Sequence, residues 1–179
     1  ISSTILKSYE FPNGGYVLVR LRTDKDVEGI GESFVPTYMG SGEGNEVVKA
    51  IIDKGLKRIV VGKDLMDVEC IWESMYRYCY SLYDIRGLAI HAISGVDMAI
   101  YDALGKTLGV PVHKLIGGSF RERVKVYVSS VFVNSNSPNI MLDEVSRYVK
   151  QGFKAIKFSG WRNFGEDIEA DIRLLRSIR

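Results

Sequence analysis

The chain is poor in the side chains on which metal and redox chemistry usually rest. Its 179 residues include two histidines and two cysteines. His91 and His113 stand at no i,i+4 spacing with a further ligand, which argues against a zinc site. Cys70 and Cys79 fall on one expected helix, half a turn out of phase and about 13 Å apart along its axis. They cannot bridge each other, and a reduced, cytoplasmic setting is expected. Long apolar runs are missing too, since no stretch approaches the roughly 20 residues of a membrane span. No signal-peptide pattern opens the chain. Nor does one sign of charge dominate. Twenty-four basic against 22 acidic residues leave a net charge of +2. That balance predicts neither nucleic acid nor an anionic membrane surface as a partner.

What is present is the mixture of a globular chain, 46% apolar and 26% charged. Its length suits one ordinary domain or two small ones. Residue 1 is Ile rather than Met, and the stretch Ile172–Arg179 stops inside a helical pattern with no cap. Both ends read as cut, so the chain is expected to be a piece of a longer protein.

The first forty residues have a β pattern. Tyr16–Thr23 and Val27–Phe34, joined by Asp24-Lys25-Asp26, predict a hairpin whose second strand carries Gly29-Ile30-Gly31-Glu32. Pro36–Asn45 has three glycines and no period, so it is a loop. Its Gly40-Ser41-Gly42-Glu43-Gly44 is no phosphate cradle, because no strand delivers a helix N-terminus there. Three helical stripes follow. The first is Val47, Val48, Ile51, Ile52, Leu56, Ile59 and Val60. The second is Val68, Ile71, Trp72, Met75, Cys79 and Leu82, with Asp67 as its expected N-cap. The third, from about Leu88 to Leu108, turns Ala89, Ala92, Ile93, Val96, Ala99, Ile100, Ala103, Leu104 and Leu108 inward. Gly109 is its C′ stop, and Pro111 blocks continuation.

After residue 118 the grammar changes. Val124–Val133 predicts a strand, Ser137-Pro138 opens a helix through Gln151, and Gly152 ends it. Lys154–Phe158 predicts a second strand, and a second helix runs from Gly165 onward. Strand, helix, strand, helix is the repeat of a parallel sheet or barrel. Two units close nothing, since a (β/α)₈ barrel takes about 250 residues.

Few motifs carry chemistry. Gly105-Lys106-Thr107 has Ile100 where a P-loop needs glycine, and it ends a helix instead of starting one. Asp97 and Asp102 lie about 140° apart around a helix, so they are expected to cap or to pair with arginines of neighbouring elements. His91, on the polar side of the same helix, is expected to be structural or interfacial. The strand Lys154–Ser159 says more. Alternation puts Ile156 and Phe158 under the helices, and Ala155, Lys157 and Ser159 on the other face. A lone inward lysine is costly unless it meets an anion, and active sites of βα barrels lie at this end of the strands. The bland alternative is a lysine reaching solvent at a strand end. On the preceding strand the same alternation turns Val126 and Val128 towards the helices, and Tyr127 and Ser129 inward.

Ala92-Ile93-Ser94-Gly95-Val96-Asp97-Met98-Ala99-Ile100-Tyr101-Asp102 is followed by Gly105-Lys106, Leu108-Gly109-Val110-Pro111 and Leu115-Ile116-Gly117-Gly118. Arg121, Arg123-Val124 and Tyr127 complete a run that resembles the domain junction of the mandelate racemase/muconate lactonizing branch of the enolase superfamily. The hairpin ending in Gly29-Ile30-Gly31-Glu32 is similar to that family's capping domain. Gly152-Phe153, Ala155 and Lys157 are similar to the strand carrying its Lys-x-Lys motif. The resemblance implies an α+β capping domain over residues 1–118, followed by the first two βα units of a (β/α)₈ TIM-type barrel over 119–179. It implies Mg²⁺ holding a substrate carboxylate while a base takes the adjacent α-proton. Lys157 would lie beside that carboxylate. Ser159 stands where the family often has a second lysine as base, and a neutral serine is no base near pH 7. Tyr9, Phe11, Tyr38 and Met39 are placed like the family's two specificity loops, and Tyr127 and Ser129 would also face substrate. The family's three acidic Mg²⁺ ligands and its opposite base fall beyond Arg179.

The expected activity is dehydration of a sugar acid by a cytoplasmic homo-oligomer, since dehydration can proceed with one base that also serves as acid. Racemisation or epimerisation and muconate-type cycloisomerisation are the enzymatic alternatives. A non-catalytic fragment or scaffold is the alternative of another class. Residues 1–179 by themselves are expected to be neither a closed, stable fold nor active.

Overall fold

The computed structural model describes residues 2–7, 15–35, 43–83, 86–132, 138–159 and 167–178. Two compact units divide the chain, residues 1–119 and 120–179. The first opens with three antiparallel strands in the order β1-β2-β3: β1 Ser2–Lys7, β2 Gly15–Arg22 and β3 Glu28–Phe34. β1 falls within the first forty residues, where a β pattern is expected, but it was not expected as a separate strand. It pairs along its whole length, from Ser2 opposite Arg20 to Lys7 opposite Gly15. The expected hairpin is present, with Tyr16 opposite Phe34 and Arg22 opposite Glu28. Its turn is closed by Thr23, whose hydroxyl and carbonyl accept the amides of Val27 and Asp26 at 3.0 and 3.2 Å.

Period two then sorts the sheet into faces. Val17, Val19 and Leu21 of β2 are buried, as are Gly29, Gly31 and Ser33 of β3. Tyr16, Arg20, Ile30 and Phe34 are exposed on the other face, where the Tyr16 and Phe34 rings lie 5.9 Å apart.

The buried face lies on the long helix of the unit. The helices are α1 Glu43–Ala50, α2 Lys57–Val60, α3 Val68–Leu82, α4 Leu88–Leu108 and α5 Val112–Leu115. α4 matches the expected bounds. Gly109 at φ +68° lets the amides of Val110 and Gly109 return to the carbonyls of Gly105 and Lys106, a Schellman stop. Leu108 is 46% exposed instead of inward, because it sits at that stop, past the last residues under the sheet.

The first stripe needs a larger correction. Between α1 and α2, Ile51–Leu56 is π-helical. The wider turn rephases the helix so that the buried positions run Val48, Ile52, Leu56 and Val60, every fourth residue, with Ile51 beside them. Val47 is left outside that line and exposed. On α3, Val68, Ile71, Met75 and Cys79 are buried, but Leu82 in the last turn is exposed. Asp67 occupies the N-cap position of α3 without capping it through its side chain. Its φ of −87° and ψ of 40° lie outside the extended conformation that aims a cap side chain at the first amides. Cys70 and Cys79 are free thiols, the second buried. Among the described residues no helix is long and apolar enough to cross a membrane.

The second unit has β4 Val128–Phe132, α6 Pro138–Lys150, β5 Ile156–Ser159 and α7 Ile168–Ile178, with β4 and β5 parallel. The strand, helix, strand, helix order is as expected, with shorter strands. β4 begins at Val128, whose amide donates to the Ala155 carbonyl at 3.0 Å. Residues 124–127 lie outside it, so Val126 is exposed rather than turned towards helices, and Val124 is exposed as well. Gly152, at φ +92°, follows α6 as its breaker. Met141 and Val145 of α6 form the buried centre of this unit, with Val128, Tyr148, Ile156, Phe158 and Ile178 packed around them.

Candidate active site

Parallel pairing brings two of the expected site residues together. Ser129 of β4 is the register partner of Lys157 of β5. Ile156 and Phe158, on either side of Lys157, pack on the α6 cluster. Lys157 and Ser129 therefore share the opposite face of the two-stranded sheet, and both are exposed. A primary ammonium beside a hydroxyl can hold a carboxylate by charge and hydrogen bond.

Of the other expected residues, Tyr127 and Ser159 stand at strand ends. Tyr127 precedes β4 and is 54% exposed, so strand alternation does not orient it. Ser159 is the last residue of β5, opposite Phe132 in the ladder. Tyr9, Phe11, Tyr38 and Met39 lie outside the described residues. Among the described residues no group of three or more His, Cys, Asp or Glu side chains gathers to hold a metal ion. The described residues therefore do not fit a Mg²⁺ site.

The two aspartates of α4 have separate roles. Asp102 Oδ2 accepts the Ile30 amide at 2.8 Å and the Lys106 ammonium at 2.7 Å, and Lys106 also donates to the Glu28 carbonyl at 2.8 Å. Its partners are thus a lysine one turn on and a strand amide, not an arginine from a neighbouring element. Burial pushes the Asp102 carboxyl up, but the bonds from Lys106 and Ile30 and the lysine charge outweigh it and hold the group below its ordinary range. Asp97 goes the other way. Burial, and secondarily the Glu69 carboxylate on α3, raise it. In sequence Lys106 stands out as part of a failed P-loop and of the junction run, but nothing local marks it as a lysine that bonds a strand 78 residues away.

Residues 11–117 match the N-terminal domain of the mandelate racemase/muconate lactonizing enzyme family. The D-xylonate dehydratase of Haloferax volcanii is 34% identical over 147 residues, which covers 82% of this chain and 33% of that protein. The arabinonate dehydratase of Saccharolobus solfataricus is 37% identical over 139 residues, covering 74% of this chain and 37% of that protein. The chain therefore spans about a third of the length of these curated relatives. Among solved structures, a racemase from Streptomyces coelicolor A3(2) with bound magnesium superposes with a TM-score of 0.80 at 24% identity, over 98% of this chain and 49% of that one.

Proposed function

Because the chain belongs to the mandelate racemase/muconate lactonizing enzyme family through its N-terminal domain, we propose that it is part of an enolase-superfamily enzyme that dehydrates a sugar acid. The observation that carries this reading is the kinship to two sugar-acid dehydratases at 34% and 37% identity over most of the chain. In this proposal residues 119–179 are the opening βα units of a barrel. Lys157 holds the substrate carboxylate. Its charge favours the negative charge that develops on the carboxylate when the neighbouring C–H proton leaves. Ser129, its register partner, offers a hydroxyl to the same group or to the adjacent substrate hydroxyl. Ser159, where a second lysine would be a base, takes no proton. One base that returns its proton to the departing hydroxide is then enough, and water leaves with the enol behind. Tyr9, Phe11, Tyr38 and Met39 contact the rest of the sugar chain and set which sugar acid is accepted. Magnesium belongs to the neighbour that binds it. The roles of Lys157, Ser129 and Ser159 do not pass through a metal.

The test is 2-keto acid formation by the complete polypeptide from a panel of sugar acids that includes D-xylonate and arabinonate. Product is expected from at least one. In Lys157→Met, which keeps the stem and removes the charge, turnover should fall at least about a hundredfold with little change in melting. Turnover equal to the parent would remove Lys157 from the chemistry. Recovery of substrate with an inverted α-carbon and no keto acid would assign racemisation instead.

A further inference from the structure

A cavity of about 760 Å³ opens in the first unit between the turn joining β2 to β3, the loop joining α2 to α3, and the last turns of α4. Small-molecule sites have about 300–1,000 Å³. Its floor is the core itself: Leu21 of β2, Val60 of α2, Ile71 of α3 and Leu104 of α4, each at most 6% exposed. Val61 and Met66 also line it and are 59% and 64% exposed. An apolar group seated there would cover side chains that now meet water.

Two of its walls are turns closed by their own hydrogen bonds. In the first, the Thr23 carbonyl and hydroxyl accept the Asp26 and Val27 amides. In the second, the Lys63 and Asp67 amides donate to the Val60 and Asp64 carbonyls at 3.1 Å each, and Asp64 Oδ1 accepts the Met66 amide at 2.9 Å. A ligand would therefore have little chain to order on arrival.

Charge decides what fits. Arg22 lines the cavity, but its guanidinium is held by Asp26. Asp64 is tied to its own loop through Met66. Lys25, Lys63 and Asp24 also line the cavity, and none of the three has an ion-pair partner among the described residues. Two lysines from different walls thus stand against one carboxylate, a balance suited to a single negative charge. Thr23 Oγ1, having accepted the Val27 amide, keeps its own proton to donate.

We propose that this cavity binds a small monocarboxylate with an apolar body, of the aryl or branched-alkyl kind. Lys25, Lys63 and Thr23 donate to the carboxylate, and the apolar body lies over Val61, Met66 and the floor. The site is independent of the role proposed for Lys157.

The test titrates the complete polypeptide with 3-phenylpropionate, 3-phenylpropanol and 3-phenylpropylamine by ligand-observed NMR. The acid should bind with a Kd of about 1 mM or tighter. The alcohol and the amine should bind at least about fivefold more weakly. Lys25→Met/Lys63→Met keeps both stems without the charges. It should weaken the acid at least about fivefold and leave the alcohol within about twofold. The Thr107 hydroxyl, on the α4 wall, donates to the Ala103 carbonyl in its own helix at 2.8 Å. Thr107→Trp therefore fills the cavity without removing a tertiary bond, and should weaken acid and alcohol alike by at least about fivefold. Lys157→Met should leave the acid within about twofold of the parent. The proposal falls if the acid does not bind at about 10 mM, or if the amine binds as tightly as the acid. It falls too if the acid is indifferent to the lysine pair or to Thr107→Trp, or if Lys157→Met abolishes its binding. Should Thr107→Trp fail to fold, the lysine pair and the three probes decide by themselves.

Discussion

In the first unit, β3 sets Gly29 and Gly31 against the backbone of α4, while β2 fills the space beside them with Val17, Val19 and Leu21. In the second unit, β5 sets Ile156 and Phe158 against Met141 and Val145 of α6, and stays half-buried. Both strands alternate with period two. What differs is the depth behind the inward face. The first unit has a cluster running from Val17 to Leu104, whereas among the described residues of the second only Met141 and Val145 form a buried apolar centre. Alternation therefore tells which face is inward, and the neighbouring layer decides how much that face is worth.

Substitution should separate the two regimes. Gly31→Val forces a branched side chain into the space of the Gly95 carbonyl and should lower stability by about 3 kcal/mol or more, or prevent folding, in denaturant titration. Phe158→Ala removes a larger side chain, yet from a half-buried site, and should cost only about 1–2 kcal/mol. A Phe158→Ala loss equal to that of Gly31→Val would erase the contrast.

The smallest expected effect lies within α4 and depends on pH. Asp97 is held above its ordinary value by burial and by Glu69, so its charged form weakens the fold at neutral pH. Asp97→Asn should raise Tm by about 1–2 °C at pH 7. The gain should fade as pH falls through the raised value towards the ordinary 3.8, where the parent aspartate is protonated too. Asp102 has the opposite sign. Its lowered value contributes stability that is present above 3.8 and is lost as pH falls through the depressed value. Asp102→Asn should therefore lower Tm at pH 7, and thermal melts of both variants across pH 3–7 read the two signs directly. Two shifts of the same sign would show that the partners at Glu69 and Lys106 do not govern these groups.

Much of the fold was legible because its signals are local. The small and apolar residues of α4 recur at helical spacing, and Gly109 and Gly152 mark the helix stops. The β pattern of the first forty residues was legible, but β1 as a separate strand was not, since Ser-Ser-Thr-Ile-Leu-Lys takes its place only beside β2. Nor does an apolar count reveal the π-helical turn at Ile51–Leu56 or the exposure of Val47. Of the candidate site, alternation gave the faces of Ile156, Lys157 and Phe158. It could not pair Lys157 with Ser129, because register depends on how β4 and β5 align. Nor could it give Asp102 its partner at Ile30, 72 residues away.

The backbone contact at Gly29 and Gly31 bears on how such a domain changes over evolutionary time. A contact lined by side chains can be retuned one methyl at a time, as Val17 or Val19 could be exchanged for smaller or larger neighbours. A contact lined by carbonyl oxygens offers no intermediate sizes. At these two positions substitution meets a step rather than a slope, because even a single methyl would have to push β3 off the α4 backbone.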